Sequence, residues 1–326
     1  MTSYTATPRP AVHSGWYLLA FRSELPAEPT PLAVGDRALV ALREDDRVRV
    51  FDAACPHRGA HLGYGGRREK DCLVCPFHGR RIALGDPARP WSVAEYPVLL
   101  WGDAVFARLT GDPAGDRGFE QAVKRYAADY PLVPAVTLPV AVDSAYVVEN
   151  AFDADHFKAV HMVPGVRGWT AAPGPSGELV VEGEFLMQTS PWRDERHKEE
   201  VRWQAIRTNT VRWEYRPRFL ARAYSPGVVV TEFGPEGEVH IIVTGAVPTP
   251  QGCTARVAIG VRDDQRGTLP ALIAGSRKAL AEDQVIWEHL VPGAPERLDG
   301  RDAPVIAFRD FCADFPAAPP AFGGTR

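Results

Sequence analysis

CPHRGAHLGYGGRREKDCLVCPFH, running from Cys55 to His78, holds two short ligand loops: a C-x-H (Cys55, His57) and, after 17 intervening residues, a C-x-x-H (Cys75, His78). Two Cys and two His can hold a [2Fe-2S] centre in which two imidazoles replace two thiolates on one iron, raising the reduction potential. Each loop then gives its Cys to one iron and its His to the other, which explains the pairing of unlike ligands within each loop. Two Cys with two His is also a zinc-binding set, but zinc sites usually pair Cys with Cys and His with His. Gly59 and Gly79 suit a backbone that must pass close to a cluster. Pro56 and Pro76 stiffen both loops.

The segment resembles the Rieske domain of ring-hydroxylating and related Rieske non-haem iron oxygenases. The two loops alone fit a small Rieske ferredoxin equally well, so the remainder of the chain decides. Its 326 residues are enough for two domains with sizeable cores. Hydrophobic residues at 45% and charged residues at 24% are those of a globular chain that stays in water. The net charge of -4 gives no basic surplus for nucleic acid or an anionic membrane. The opening MTSYTATPRPAVHSG has neither an apolar core nor a cleavage pattern, and no apolar run approaches a membrane span, so a cytoplasmic location is expected. Of five cysteines, Cys72, Cys253 and Cys312 are left as free thiols in a reducing compartment. Using Cys72 as a ligand would create a C-x-x-C pair and orphan His78.

From Gly15 the pattern predicts short strands at Trp16 to Phe21, Arg37 to Leu42, Arg47 to Phe51, Arg81 to Leu84, Ala94 to Leu100 and Ala104 to Leu109. The polar turn at Glu44, Asp45 and Asp46 marks a hairpin that feeds the first ligand loop. Asp112 to Gly118 reads as a connection, which divides the chain into residues 1–111 and 112–326. Beyond it strands are expected at Leu179 to Gln188, Glu200 to Arg207, Val211 to Arg216, Val228 to Phe233, Val239 to Val247 and Thr254 to Arg262, forming an antiparallel sheet. A helix from Thr268 to Leu290 covers it, and the tail from Ala313 is expected to be flexible at its end. VRWQAIRTNTVRWEYRPRF reads as a strand pair whose arginines face solvent with aromatics packed behind, or as a docking surface for an acidic electron donor.

Asn150 to His161, NAFDADHFKAVH, brings His156 and His161 close to the carboxylates of Asp153 and Asp155. Two His and one carboxylate form a facial triad that leaves open positions on Fe(II). On an ideal helix a five-residue spacing leaves the two rings about 140° apart, so the helix must end or distort between them; Pro164 and Gly165 follow. The third ligand follows from periodicity: Leu269, Leu272, Ile273, Ser276, Leu280, Trp287 and Leu290 mark a buried stripe into which Asp283 falls, while Glu282 points elsewhere. A carboxylate on an apolar face needs a partner, and a metal is one.

The pattern N-x2-D-x2-H-x4-H at Asn150, Asp153, His156 and His161 resembles the mononuclear iron segment of the same oxygenase family, which excludes a simple ferredoxin. The family also places its ligand Asp in a late helix just ahead of Ile-Trp, here Ile286 and Trp287. The resemblance implies an α+β chain: an N-terminal all-β Rieske [2Fe-2S] domain, then a START-like helix-grip catalytic domain with an antiparallel sheet. It implies a monooxygenase-type terminal oxygenase with a [2Fe-2S] cluster and one mononuclear Fe(II), working without a small β subunit. Its substrate is a small organic molecule that it hydroxylates or oxidatively demethylates with dioxygen. No G-x-G-x-x-G follows a strand, so a separate NAD(P)H-dependent reductase, with or without a ferredoxin, supplies electrons. A Rieske electron-transfer or sensor protein with an inactive second site is the alternative. The resemblance further implies a homotrimer in which Asp153 joins His156 to His78 of the next chain, and catalytic roles for Asp153 and Asn150.

Overall fold

Around the polar turn at Glu44 to Asp46, Arg37–Glu44 and Arg47–Asp52 pair antiparallel, and the second strand leads straight into Cys55. The computed structural model describes residues 12–191, 195–291 and 293–319. Its first half is all β: β1 (Trp16–Phe21), β2 (Thr30–Val34), β3 (Arg37–Glu44), β4 (Arg47–Asp52), β5 (Arg67–Glu69), β6 (Cys72–Val74), β7 (Arg81–Leu84), β8 (Ser92–Val93), β9 (Glu95–Tyr96), β10 (Val98–Trp101) and β11 (Ala104–Arg108). They form a four-stranded sheet β2-β3-β4-β9, a second four-stranded sheet β5-β6-β7-β8 and a three-stranded sheet β1-β11-β10.

The second half comprises α1 (Phe119–Tyr126), β12 (Leu132–Val140), α2 (Ser144–Glu149), α3 (Ala154–Ala159), β13 (Gly165–Pro173), β14 (Leu179–Leu186), α4 (Glu195–Thr208), β15 (Arg218–Ser225), β16 (Val228–Gly234), β17 (His240–Thr249), β18 (Gly252–Gly260), α5 (Leu269–Trp287) and α6 (Ala303–Ala313). Its strands make one seven-stranded sheet, β12-β18-β17-β16-β15-β14-β13, with all pairs antiparallel. This is the expected α+β arrangement.

Strand alternation divides the sheet into two apolar faces. Val228 and Val230 of β16 and Ile241 and Val243 of β17 join Trp16, Leu18, Trp101 and Phe106 in one core, so the β1-β11-β10 sheet covers that face. The opposite face, carrying Val229, Phe219 and Val257, packs with α2, α5 and α6 through Val148, Leu280, Trp287 and Phe308. The functional cavity lies on this second face.

Two expectations change. Glu200 to Arg207, read as a strand, belongs to helix α4, and Val211 to Arg216 forms no strand beyond an isolated Met187–Tyr215 bridge. The segment ERHKEEVRWQAIRT is dominated by strong helix formers and carries an Lys198–Glu195 pair at helical spacing. No residue of α4 is buried, and Trp203 and Ile206 are exposed, so no aromatics are packed behind it. The tail is pinned through residue 318, where Ser14 donates to the carbonyl of Pro316 and Ala318 donates to that of Val12; residues 320–326, like 1–11, lie outside the described residues. All five cysteines are buried and none forms a disulfide. Among the described residues no helix is long and apolar enough to cross a membrane.

Candidate metal centres and substrate cavity

The two ligand loops have the same backbone plan. The Cys55 N–H donates to the carbonyl of Ala60 at 2.8 Å, and the Cys75 N–H donates to that of Arg80 at 2.8 Å. Gly59 and Gly79 donate back to the carbonyls of Cys55 and Cys75 at 2.8 and 2.9 Å. Both glycines have positive φ, +72° and +67°, and a Cβ on either would meet no protein atom within 4 Å. The left-handed backbone is therefore reason enough for glycine here.

The loops bring their ligands together. The Cys55 and Cys75 side chains lie in the same buried core as Leu62, Leu73 and Ile82. Burial raises the Cys55 thiol above its ordinary range, as does the neighbouring Cys75. The His57 and His78 rings stand outward with centroids 4.8 Å apart. His57 is held below its ordinary pKa by desolvation first, then by Arg80, His78 and Arg58. Its Nδ1 is a buried nitrogen with no protein partner among the described residues, an orphan that a cluster iron would satisfy. Two buried thiols and two outward imidazoles are a donor set that would hold a [2Fe-2S] group, with Cys55 and Cys75 on one iron and His57 and His78 on the other.

The second site is built where α3 ends. Helix α3 stops at Ala159, and Met162 turns the chain at φ +54°. His156 therefore projects from the helix and His161 from beyond it, which resolves the 140° conflict of the ideal helix. The rings stand 5.1 Å apart at 80°. Asp283, buried on α5, has Oδ1 3.3 Å from His161 Nε2. Ligand atoms of His156, His161 and Asp283 all lie within 4.8 Å of one another, so one ion can meet all three.

Two contacts differ from the sequence reading. Asp153 is the N-cap of α3 rather than a helical residue, and its Oδ1 accepts from the N–H groups of Asp155 and His156 at 2.9 and 3.2 Å. His156 Nδ1 instead meets the main-chain carbonyl of Asp153 at 2.6 Å, which turns Nε2 toward the site. Glu282 does not point away: its Oε2 lies 3.0 Å from His161 Nδ1. Its helical position is about 100° from Asp283, yet its longer side chain reaches around the His161 ring. Burial pulls His161 down, but Asp283 and then Glu282 outweigh it and hold the imidazole above its ordinary pKa. For His156 burial wins over Asp283 and the pKa is lowered.

A cavity of about 160 Å³ opens on this site, lined by Asn150, Phe157, Phe219, Ile242 and Trp287 among others, together with the two histidines and Asp283. Asn150, singled out by its spacing, thus faces the cavity. Asp155 does not join the ligand set; it pairs with Lys158 and Arg301 on the surface.

Residues 15–89 match the Rieske [2Fe-2S] domain family. Cholesterol 7-desaturase nvd of Drosophila melanogaster is 41% identical over 182 residues, covering 49% of this chain and 40% of that protein. Aminopyrrolnitrin oxygenase PrnD of Pseudomonas fluorescens is 29% identical over 185 residues, covering 50% and 49%. The chain thus spans less than half the length of these curated relatives. Among solved structures, dicamba monooxygenase bound to dicamba superposes with a TM-score of 0.66 at 18% identity, covering 92% of this chain and 96% of that one. NdmB of Pseudomonas putida CBB5 gives 0.64 at 18%, covering 92% and 90%. Residues 15–89 are a Rieske [2Fe-2S] domain, and 92% of the chain shares the fold of these solved structures.

Proposed function

We propose that this relative of the Rieske oxygenases is a terminal oxygenase that hydroxylates or oxidatively demethylates a small organic molecule. One observation carries the reading: a chain with a Rieske domain also holds a set of two histidines and one aspartate with an apolar cavity opening on it. Iron in the two sites would supply electron transfer and reductive activation of dioxygen. The protein's own contribution is positional. The Asp153 carbonyl and the Glu282 carboxylate each fix one imidazole, Asp283 supplies the anionic ligand, and the cavity wall shields the reacting molecule from water.

Residues 1–111 would carry the cluster and 112–326 the catalytic iron, with a separate NAD(P)H-dependent reductase, with or without a ferredoxin, as donor and the cytoplasm as the compartment. The same reading assigns a head-to-tail homotrimer. Its support is large exposed apolar side chains in two unlike places: Phe77 and Trp91, in ring contact with His78 and His57, and Met162, Val285 and Ile286, close in sequence to His161 and Asp283. Arg58 and Arg80 lie over Phe77 and Trp91, 5.6 and 4.6 Å from the ring centroids. Unlike surfaces on one chain make a heterologous contact, which closes only by rotation. His78 is exposed, and no described residue bonds the second carboxylate oxygen of Asp153, so that oxygen can accept from His78 of the next chain.

The test is turnover. Purified protein with a reductase, NADH and a panel of small molecules should consume dioxygen, with one oxygen atom appearing in a product (the new hydroxyl, or the formaldehyde released on demethylation) and the other in water. A cluster that reduces and reoxidises with no product from any candidate would favour the electron-transfer or sensor reading.

A further inference from the structure

The cavity wall has a chemical character that the metal site does not require. Its titratable residues are His156, His161 and Asp283, all members of the ligand set, and no lysine or arginine lines it. Most of the wall is apolar, contributed by valines, Phe157, Phe219, Ile242, Leu280 and Trp287. A carboxylate, phosphate or ammonium group entering here would lose its hydration without gaining a counter-charge from the wall, which strongly disfavours it.

Three hydroxyls interrupt that surface. Thr231 of β16 and Thr244 of β17 lie on the same sheet face as Val229 and Ile242, with Thr231 opposite Ile242 and Val229 opposite Thr244. The two threonines are therefore diagonal neighbours. Ser276 on α5 precedes Asp283 by seven residues, two helical turns along the same face. No described protein group hydrogen-bonds the Thr231, Thr244 or Ser276 hydroxyl, although Thr231 is buried. Valine would fill each threonine position with nearly the same volume and no polar atom, so the hydroxyls stand where packing alone does not ask for them. Thr231 is buried and Thr244 and Ser276 are half-buried, and all three line the cavity, so a molecule held there can supply the partner that the protein does not.

We infer that the substrate is an electrically neutral, largely apolar small molecule whose neutral hydrogen-bonding group, a hydroxyl or carbonyl, is read by Thr231 and Thr244 from the sheet and Ser276 from the helix. This rests on the oxygenase reading above for its biological sense, while the binding chemistry can be measured without turnover. The threonines and Ser276 act as specificity determinants: they orient the molecule so that one edge faces the His156–His161–Asp283 site. A site built to hydrogen-bond a group discriminates against analogues lacking it, because its own hydroxyls are then left unpaired.

The experiment is calorimetric titration of the full-length protein, cluster and iron in place, with four probes on one ring system: naphthalene, naphthol, naphthoate and naphthylmethylammonium. Naphthol should bind about ten-fold or more tighter than either ion, and about three- to ten-fold tighter than naphthalene. In a Thr231→Val/Thr244→Val double variant the advantage over naphthalene should vanish while naphthalene binds as before. The order should survive removal of the mononuclear iron by chelation, which separates recognition by the wall from ligation by the metal. Naphthoate or the ammonium binding as tightly as naphthol, a double variant that keeps the naphthol advantage, an order that exists only with iron bound, or no binding of any probe would each overturn the inference. If the order holds and no probe or other neutral molecule is ever oxidised, the recognition stands and the oxygenase reading falls.

Discussion

Replacing Glu282 with Gln tests the contact that sequence periodicity missed. Glu282 Oε2 sits 3.0 Å from His161 Nδ1, so it holds the ring tautomer that presents Nε2 to the metal and raises the ring's basicity. Outer carboxylates of this kind are worth about 10- to 100-fold in metal affinity. Two features place Glu282 at the lower end: its side chain is 33% exposed, and Lys278 lies 3.7 Å from its other oxygen. A ten-fold loss, about 1.4 kcal/mol, is expected. The assay is competition for the mononuclear iron with a calibrated chelator, with the visible absorption of the cluster as an internal control. Asp283→Ala removes a direct ligand and should empty the site altogether without bleaching the cluster. The reasoning is refuted if Glu282→Gln binds iron as tightly as the parent, or if Asp283→Ala retains full iron and activity.

Cys55→Ala should abolish the red-brown colour and the acid-labile sulfide while the other iron stays bound; zinc at the four loop ligands in a colourless parent protein would contradict the cluster assignment. Asp153→Ala should cost about 1 kcal/mol of helix capping and slow reduction of the second site, whereas Asp153→Asn keeps a capping oxygen; single-turnover kinetics that stay fast in both, or a fully active monomer by light scattering, would exclude the bridge to His78. Burial holds His240 at about 4, below its ordinary value of 6.5. The unfolded chain therefore binds the extra proton between these values. Stability is full above the upper value and declines as pH falls toward the lower, by about 2 kcal/mol near pH 5. Urea midpoints at about pH 7.5 and 5 should show this loss, and an unchanged pH slope in His240→Asn would assign it to other groups.

The convergence of Cys55, His57, Cys75 and His78 was legible because it is local: each Cys and His pair is fixed by its own six-residue turn, closed by the same hydrogen bonds in both loops. That Asp283 would lie beside His156 and His161 was legible because helical periodicity is strict, and a carboxylate in an apolar stripe stands out. Strands such as β1, β3, β4, β11, β14, β16, β17 and β18, with alternating or continuous apolar runs, were readable for the same reason, whereas β2, β6 and the interior strand β15 were not predicted. Strands β12 and β13 were not: LVPAVTLPV and GVRGWTAAP carry prolines and glycines that read as loop, and only their place at the two edges of the sheet makes those residues tolerable.

What tertiary structure alone decided were the contacts that join distant segments. Glu282 differs from Asp283 by one residue, and whether its side chain reaches His161 depends on where α3 ends, far earlier in the chain. The fate of the Asp153 carboxylate turned on its being a cap, a backbone property that spacing does not encode. The hydroxyls of Thr231, Thr244 and Ser276 look like ordinary strand and helix residues until β16, β17 and α5 close around one cavity. Residue types and periodicities are written along the chain, but which side chains share a cavity is set by packing between elements far apart in sequence, and that is where the choice of substrate resides.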